Sequence, residues 1–226
     1  MKLSKRLQTI ADFVKSGSIV ADIGTDHAHI PIYLIKNEII KKAYACDINR
    51  GPLEKARENI EFFGVEDSII LRLSNGLEKL GNDEADTIII AGMGGELIID
   101  ILERAEMFYD KKNTFILSPH TKVDEVRSFL LKRGFEIFKE DMCIDEGKFY
   151  TVMEVGYTGY EVHYSYSELL YGKYLIKNKK PILFEFLKKE KNKYINIISN
   201  TGLNEKRRAE LVQRLDIIEE VINEMQ

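Results

Sequence analysis

The sequence predicts an α/β fold with a C-terminal helical coiled-coil hairpin, and three observations carry that prediction. Five short, apolar runs alternate with helical segments: Ile19-Val20-Ala21, Ala43-Tyr44-Ala45-Cys46, Ile69-Ile70-Leu71, Thr87-Ile88-Ile89-Ile90-Ala91 and Thr114-Phe115-Ile116-Leu117. Strands of this kind belong to a parallel sheet covered on both faces. Two further strand-like runs, Phe135 to Ile144 and Phe149 to Val155, meet across Asp145-Glu146-Gly147-Lys148, which is turn chemistry for an antiparallel hairpin. After Pro181 two long patterns repeat apolar residues at alternating three- and four-residue steps. The pattern breaks between Gly156 and Tyr160, so two domains are expected, 1–160 and 161–226.

The elements follow in order. Leu3, Leu7, Ile10 and Val14 recur at helical spacing behind Ser4, a good N-cap, and Gly17 is the expected stop. The first strand opens onto a helix after Asp22-Ile23-Gly24-Thr25-Asp26-His27. Leu53, Ala56 and Ile60 mark an amphipathic helix closed by Gly64. Helices are expected near 95–107 and 122–133, the latter stopped by Gly134. A terminal antiparallel hairpin on a parallel sheet resembles the class I, Rossmann-like methyltransferase fold. Beyond it come a short helix near 167–177 and a helix started by Pro181. The first long pattern aligns Phe184, Leu187, Tyr194 and Ile198, with Lys191 as a polar interruption. The second aligns Leu211, Leu215, Ile218, Ile222 and Met225, and Thr201-Gly202-Leu203-Asn204 forms the turn between them.

Composition bounds the function. With 226 residues, 44% of them hydrophobic, the chain can fill one full-size core and a smaller appendage. No apolar run reaches the length of a membrane span, and the N-terminal stretch lacks a long apolar h-region, so no signal peptide is expected. Cytoplasmic location is the expectation. Cys46 and Cys143 lack metal spacing, and the four histidines are scattered, so no metal is expected. Net charge is −4, unlike a bulk nucleic-acid binder. The balance is uneven: residues 1–160 hold 21 basic and 27 acidic residues, residues 161–226 hold 12 and 10. Lys188, Lys189 and Lys193 stand on one helix near Lys177, Lys179 and Lys180. They form either a phosphate-binding surface or a solvated helix face.

The turn after the first strand is where such folds bind nucleotide-like ligands. A dinucleotide fingerprint starting at Gly24 would need glycines at 26 and 29; Asp26 and His29 stand there. A carboxylate at position 26 repels a pyrophosphate but tolerates a phosphate-free sulfonium. The turn therefore favours S-adenosylmethionine over a dinucleotide. Asp47 ends the second strand, where a carboxylate accepts ribose hydroxyls, with Ile48 beside it. A simple Asp/Gly turn with an N-capping aspartate is the plain alternative for the hexapeptide. Asp22, Gly24 and Asp47 spaced over one strand-helix-strand unit argue against it.

These residues resemble the bacterial TrmK family, S-adenosylmethionine-dependent methyltransferases that act on N1 of adenine at tRNA position 22. The likeness runs along nearly the whole chain. It includes Leu3-Ser4-Lys5-Arg6-Leu7, Ala21-Asp22-Ile23-Gly24-Thr25-Asp26-His27-Ala28 with Ile30-Pro31, Ala91-Gly92-Met93-Gly94-Gly95, Glu146-Gly147-Lys148-Phe149-Tyr150 and the C-terminal coiled coil. Two positions depart from the family pattern. Asn75-Gly76 stands where Asp-Gly is frequent, and Ser118-Pro119-His120 where Gln-Pro-Asn is usual.

The resemblance implies S-adenosylmethionine as cofactor and tRNA as partner, and it orders the candidate residues. Asp22, Gly24, Thr25, His27, Asp47, Ile48, Asn75, Gly76 and Gly92 are expected to bind cofactor, Asn75 at its adenine edge. Asp26 is the candidate catalytic group, stabilising positive charge as N1 attacks, or a cofactor-binding carboxylate only. His27 orients Asp26, bonds the cofactor or caps a helix. Gly92, Gly94 and Gly95 let backbone approach a planar base, or form a tight strand-to-helix turn, with Met93 as a pocket wall. Arg6 reaches the cofactor or RNA, or lies on a helix surface. Pro119 and His120 are placed against the target base, and Lys188, Lys189 and Lys193 against tRNA. Rival readings are a small-molecule or protein methyltransferase and a non-catalytic RNA- or nucleotide-binding protein.

Overall fold

The computed structural model describes residues 1–199 and 202–226. The chain divides into two compact units, Met1–His163 and Tyr164–Gln226.

In the first unit the five apolar runs are strands β1 (Ile19–Ile23), β2 (Lys42–Asp47), β3 (Ile69–Leu73), β4 (Thr87–Ala91) and β5 (Thr114–Ser118), all mutually parallel where they pair. The hairpin strands β6 (Phe135–Asp145) and β7 (Lys148–Tyr157) complete a seven-stranded sheet of order β3-β2-β1-β4-β5-β7-β6. β7 runs antiparallel to both neighbours. Its turn is two residues long, Glu146 and Gly147, with φ of +48° and +76°. That backbone matches the right-handed twist of the flanking strands. The order reverses between β1 and β4, which opens a crevice at the carboxyl ends of these strands.

Helices α1 (Lys5–Ala11), α2 (His29–Lys36), α3 (Arg50–Phe63), α4 (Gly95–Glu103) and α5 (Val123–Lys132) complete the unit. Ser4 caps α1 by accepting from Leu7 N–H, and Gly64 closes α3. Two helices are shorter than their sequence patterns. α1 stops at Ala11, not Gly17, because the amides of Phe13 and Val14 bond back to Ile10 and Ala11 and tighten the chain, burying both side chains. α4 gives way to a separate 3₁₀ turn, Glu106–Phe108, that buries Phe108. Arg127 of α5 and Glu140 of β6 form a buried ion pair, Nε to Oε1 2.8 Å.

The second unit holds α6 (Tyr166–Tyr171), α7 (Lys173–Lys177), α8 (Pro181–Ile198) and α9 (Glu205–Met225). The helix expected near 167–177 is two, broken at Gly172. α8 and α9 pack antiparallel: Arg208 reaches the carbonyl of Ile198, and Lys191 pairs with Glu219 at 2.7 Å. Leu211, Ile218, Ile222 and Met225 are buried as patterned, with Val221 added. On α8 the seam shifts by one residue: Leu183 and Leu187 are buried while Phe184 is half-buried. The inter-helix turn begins at Thr201, which lies outside the described residues. Asn204 caps α9 by accepting from Arg207 N–H at 2.8 Å.

Candidate active site

The β1–α2 turn is built by its backbone. The amides of Gly24 and Thr25 both donate to Cys46 O, at 2.8 and 2.9 Å, which pins the turn to the end of β2. Gly24 has φ +73°, a conformation that favours glycine, and a Cβ there would displace the end of the Met93 side chain. His27 and Ala28 follow in left-handed conformation, φ +63° and +56°. Such non-glycine residues persist only where their surroundings hold them. Here Asn59 of α3 donates to His27 O at 3.0 Å, and Ala28 is fully buried.

Asp22 is buried, and its Oδ2 accepts from Thr25 Oγ1 at 2.7 Å. Burial pushes its carboxyl up to about 6 against the pull of the Thr25 hydroxyl, and nearby Asp47 pushes it further. The Asp26 side chain is 79% exposed and lies 3.1 Å from His27 Nε2. The rings of His27 and His29 stack at 5.3 Å. His29 Nδ1 is buried with no partner among the described residues.

A cleft of about 610 Å³ opens beside this turn, lined by Asp22, Gly24, Asp26, His29, Gly92, Met93, Arg6, His120 and Tyr150. Its other wall is the N-terminal segment and the hairpin turn. Asp145 holds α1 in place by accepting from Arg6 N–H at 3.1 Å, and that bond and the Ser4 hydroxyl keep its carboxyl below the usual range. Arg6 Nη1 donates to His120 Nε2 at 3.0 Å. Burial, with Arg6 and Lys148 adding, lowers the imidazole's basicity, and because a guanidinium only donates, Nε2 is the acceptor in this bond. The Arg6 guanidinium and His120 ring both pack on Tyr150, at 5.4 and 5.3 Å.

The structure thus brings Asp22, Gly24, Asp26, Gly92, Met93, Arg6 and His120 to one cleft. Asp47, Ile48, Asn75 and Gly76 lie farther along the carboxyl edge, after β2 and β3. Asp47 Oδ1 accepts from Asn49 N–H at 2.7 Å, and Oδ2 has no partner among the described residues. Ile48 is 60% exposed. Asn75 donates to Glu78 at 2.8 Å, so its carbonyl oxygen remains for a ligand. A Cβ on Gly76 would press on Ile101 of α4.

Three residues expected to contact the base have structural roles in the turn as well. Gly95 is buried, and a Cβ there would meet the carbonyls of Thr121 and Lys122. Gly94 is the N-cap of α4 and sits against Thr121 Oγ1. Pro119 is buried and leads the chain to His120, whose amide bonds Met93 O at 2.8 Å. Asn59, His29 and Tyr150 were missed as site residues; the Asx side chain on α3 and the second histidine of the turn were the available signals.

The donor set fits a phosphate-free cationic cofactor. Four carboxylate residues, Asp22, Asp26, Asp145 and Glu146, line the cleft, His29 Nδ1 has no hydrogen-bond partner among the described residues, and the volume suits a small ligand. Both cysteines are unsuited to nucleophilic work. Burial pushes the Cys46 thiol up to about 12 and raises that of Cys143.

Comparison with known proteins agrees. Residues 3–153 match the methyltransferase domain family. The chain is 34% identical to the tRNA (adenine(22)-N(1))-methyltransferase of Bacillus subtilis, over 99% of this chain and 98% of that one. It superposes on TrmK of M. capricolum in complex with S-adenosyl-homocysteine with a TM-score of 0.87, 31% identity and full coverage of both chains. A ribosomal protein L11 methyltransferase of Anoxybacillus flavithermus is 29% identical, over 58% of this chain and 42% of that one. The chain belongs to the TrmK family of tRNA (adenine(22)-N(1))-methyltransferases.

Proposed function

We propose that this chain methylates N1 of adenine 22 in tRNA, with S-adenosylmethionine as the donor. The carrying observation is that its likeness to the Bacillus subtilis enzyme spans both units. The protein methyltransferase relative matches little more than half the chain, which disfavours the rival reading as a protein methyltransferase. No helix of the described residues is long and apolar enough to cross a membrane; a cytoplasmic site of action follows from a tRNA substrate.

The N1 lone pair is already nucleophilic, so the protein's work is alignment and charge stabilisation. The bound cofactor supplies a methyl group activated by its sulfonium. Asp47, with Ile48 beside it, holds the ribose hydroxyls through the unpartnered Oδ2. Asn75 and Gly76 border the adenine edge, and Asp22, Thr25, His27 and the Gly24 and Gly92 backbone shape the rest of that site. Asp26, exposed on the cleft wall, stabilises the positive charge that develops on the base. Arg6, Met93 and His120 line the space for the target base. Lys188, Lys189 and Lys193 are exposed on α8 and add charge for tRNA.

The test uses methyl-labelled cofactor and tRNA lacking the modification. Label should appear in 1-methyladenosine mapped to position 22; label in protein alone, or in another base, overturns the reading. Asp26→Asn should lower turnover about 10²-fold with a much smaller change in S-adenosylhomocysteine affinity. Equal losses in both would reassign Asp26 to binding.

A further inference from the structure

We propose that the helical unit has a nucleotide-binding cleft of its own, in which Tyr166 and Tyr194 stack an unpaired base and Arg207 and Arg214 hold its flanking phosphates. The inference rests on tRNA being the substrate. The cleft has a volume of about 260 Å³ and is lined by Tyr166, Tyr194, Arg207, Glu210, Gln213 and Arg214. Arg207 and Arg214 are seven residues apart on α9, so they share one face, about 10 Å apart along the axis.

Three observations point to an anionic, aromatic ligand. First, Arg214 Nε is buried without a partner among the described residues, and so is the nearby Tyr171 hydroxyl. The guanidinium stacks on the Tyr171 ring, at 5.3 Å, with its Nε left over. Unsatisfied buried donors call for an acceptor. Second, Arg214 has no ion-pair partner among the described residues, although it is half-buried in the cleft wall. Third, the remaining carboxylate is weakly committed. Glu210 pairs with Arg207 at 2.9 Å on an exposed surface, and pairs of that kind contribute little. Phosphate oxygens suit the planar fork of arginine, and tyrosine rings stack any base.

The lysines of α8 differ. Lys188 lies on its own helix neighbour, 4.2 Å from the Phe184 ring centroid, and Lys191 is held by Glu219. They offer charge without a place for a base. The cleft sets two arginines against one carboxylate beside two tyrosine rings, which favours nucleic acid over a protein partner.

The experiment is filter binding of unmodified tRNA to the full chain, saturated with S-adenosylhomocysteine, at several salt concentrations. Tyr166→Leu and Tyr194→Leu should each weaken binding about tenfold with the salt slope unchanged. Arg207→Gln and Arg214→Gln should weaken binding and lower the slope by about one each. Arg214→Lys should keep the slope and lose affinity. Should Arg214→Gln fail to fold, the exposed positions Arg207 and Tyr166 decide. Wild-type affinity and slope in the variants overturn the proposal, including the case in which the cleft serves a protein. If wild type methylates tRNA while the variants bind normally, only the cleft is wrong. If the variants show the expected split but wild type transfers no methyl, only the activity is wrong.

Discussion

Asp22 and Glu140 are both buried carboxylates of the first unit. Asp22 stands at the carboxyl end of β1, 7% exposed, with a neutral hydroxyl as its partner and a second carboxylate nearby. Glu140 stands in β6, 1% exposed, facing an equally buried guanidinium. A buried charge is tolerated when paired and hydrogen-bonded; otherwise the group holds its proton. The antiparallel margin of the sheet therefore contains a compensated pair. The carboxyl end of the parallel part leaves its acid short of positive charge. That difference separates a buried carboxylate neutralised by its partner from one without a compensating cation.

The comparison can be broken first at the margin. Arg127→Ala strands a buried carboxylate and should cost about 3–5 kcal/mol in urea unfolding. Replacing both partners by methionine should recover most of that loss; a double variant as weak as the single one would mean the pair contributes more than mutual neutralisation. The next effect has the opposite sign. The folded state holds the Asp22 proton up to about pH 6, against an ordinary value of 3.8. The stability this contributes is complete below the ordinary value and is lost as pH rises through 6, about 3 kcal/mol by linkage. Asp22→Asn should therefore stabilise the ligand-free protein at pH 7 by up to about 3 kcal/mol and flatten its stability between pH 4 and 6. A loss of stability at pH 7 would show that Asp22 is compensated after all. The smallest effect concerns Glu154 of β7, whose partner Lys15 is 68% exposed at 2.7 Å. Lys15→Met should change stability by less than about 1 kcal/mol, measured by thermal melting at low salt; a larger loss would place this pair with Arg127–Glu140.

Sequence and structure part company along similar lines. The strands, the hairpin and α9 were legible because burial repeats at a fixed period, and the Gly24 turn because backbone conformation demands its residue. Arg127 and Glu140 were not: on an amphipathic helix and an alternating strand each reads as a solvent-facing charge, and only tertiary packing puts them together. Gly95 shows a related ambiguity. A glycine beside a ligand site and one squeezed by a neighbouring loop look alike in sequence, and the carbonyls of Thr121 and Lys122 decide between them. Asn59 lies within a helix pattern and reveals its purpose only through the left-handed turn it clamps. On α8, Leu183 and Phe184 are adjacent apolar residues, and spacing alone could not say which one α9 would cover.

The bond from Arg6 N–H to Asp145 joins residues 139 positions apart. Synthesis runs from the N-terminus, so the segment that walls the cleft leaves the ribosome early and receives its anchor only after most of the sheet has been made. Until the hairpin turn emerges, α1 lacks this anchor and rests on α2, through bonds such as Gln8 Nε2 to the Tyr33 hydroxyl. A nascent or truncated chain could thus form the parallel strands and the Gly24 turn while offering only half a cleft. Competence to grip a ligand arrives with the last strands, which ties the onset of activity to completion of the sheet.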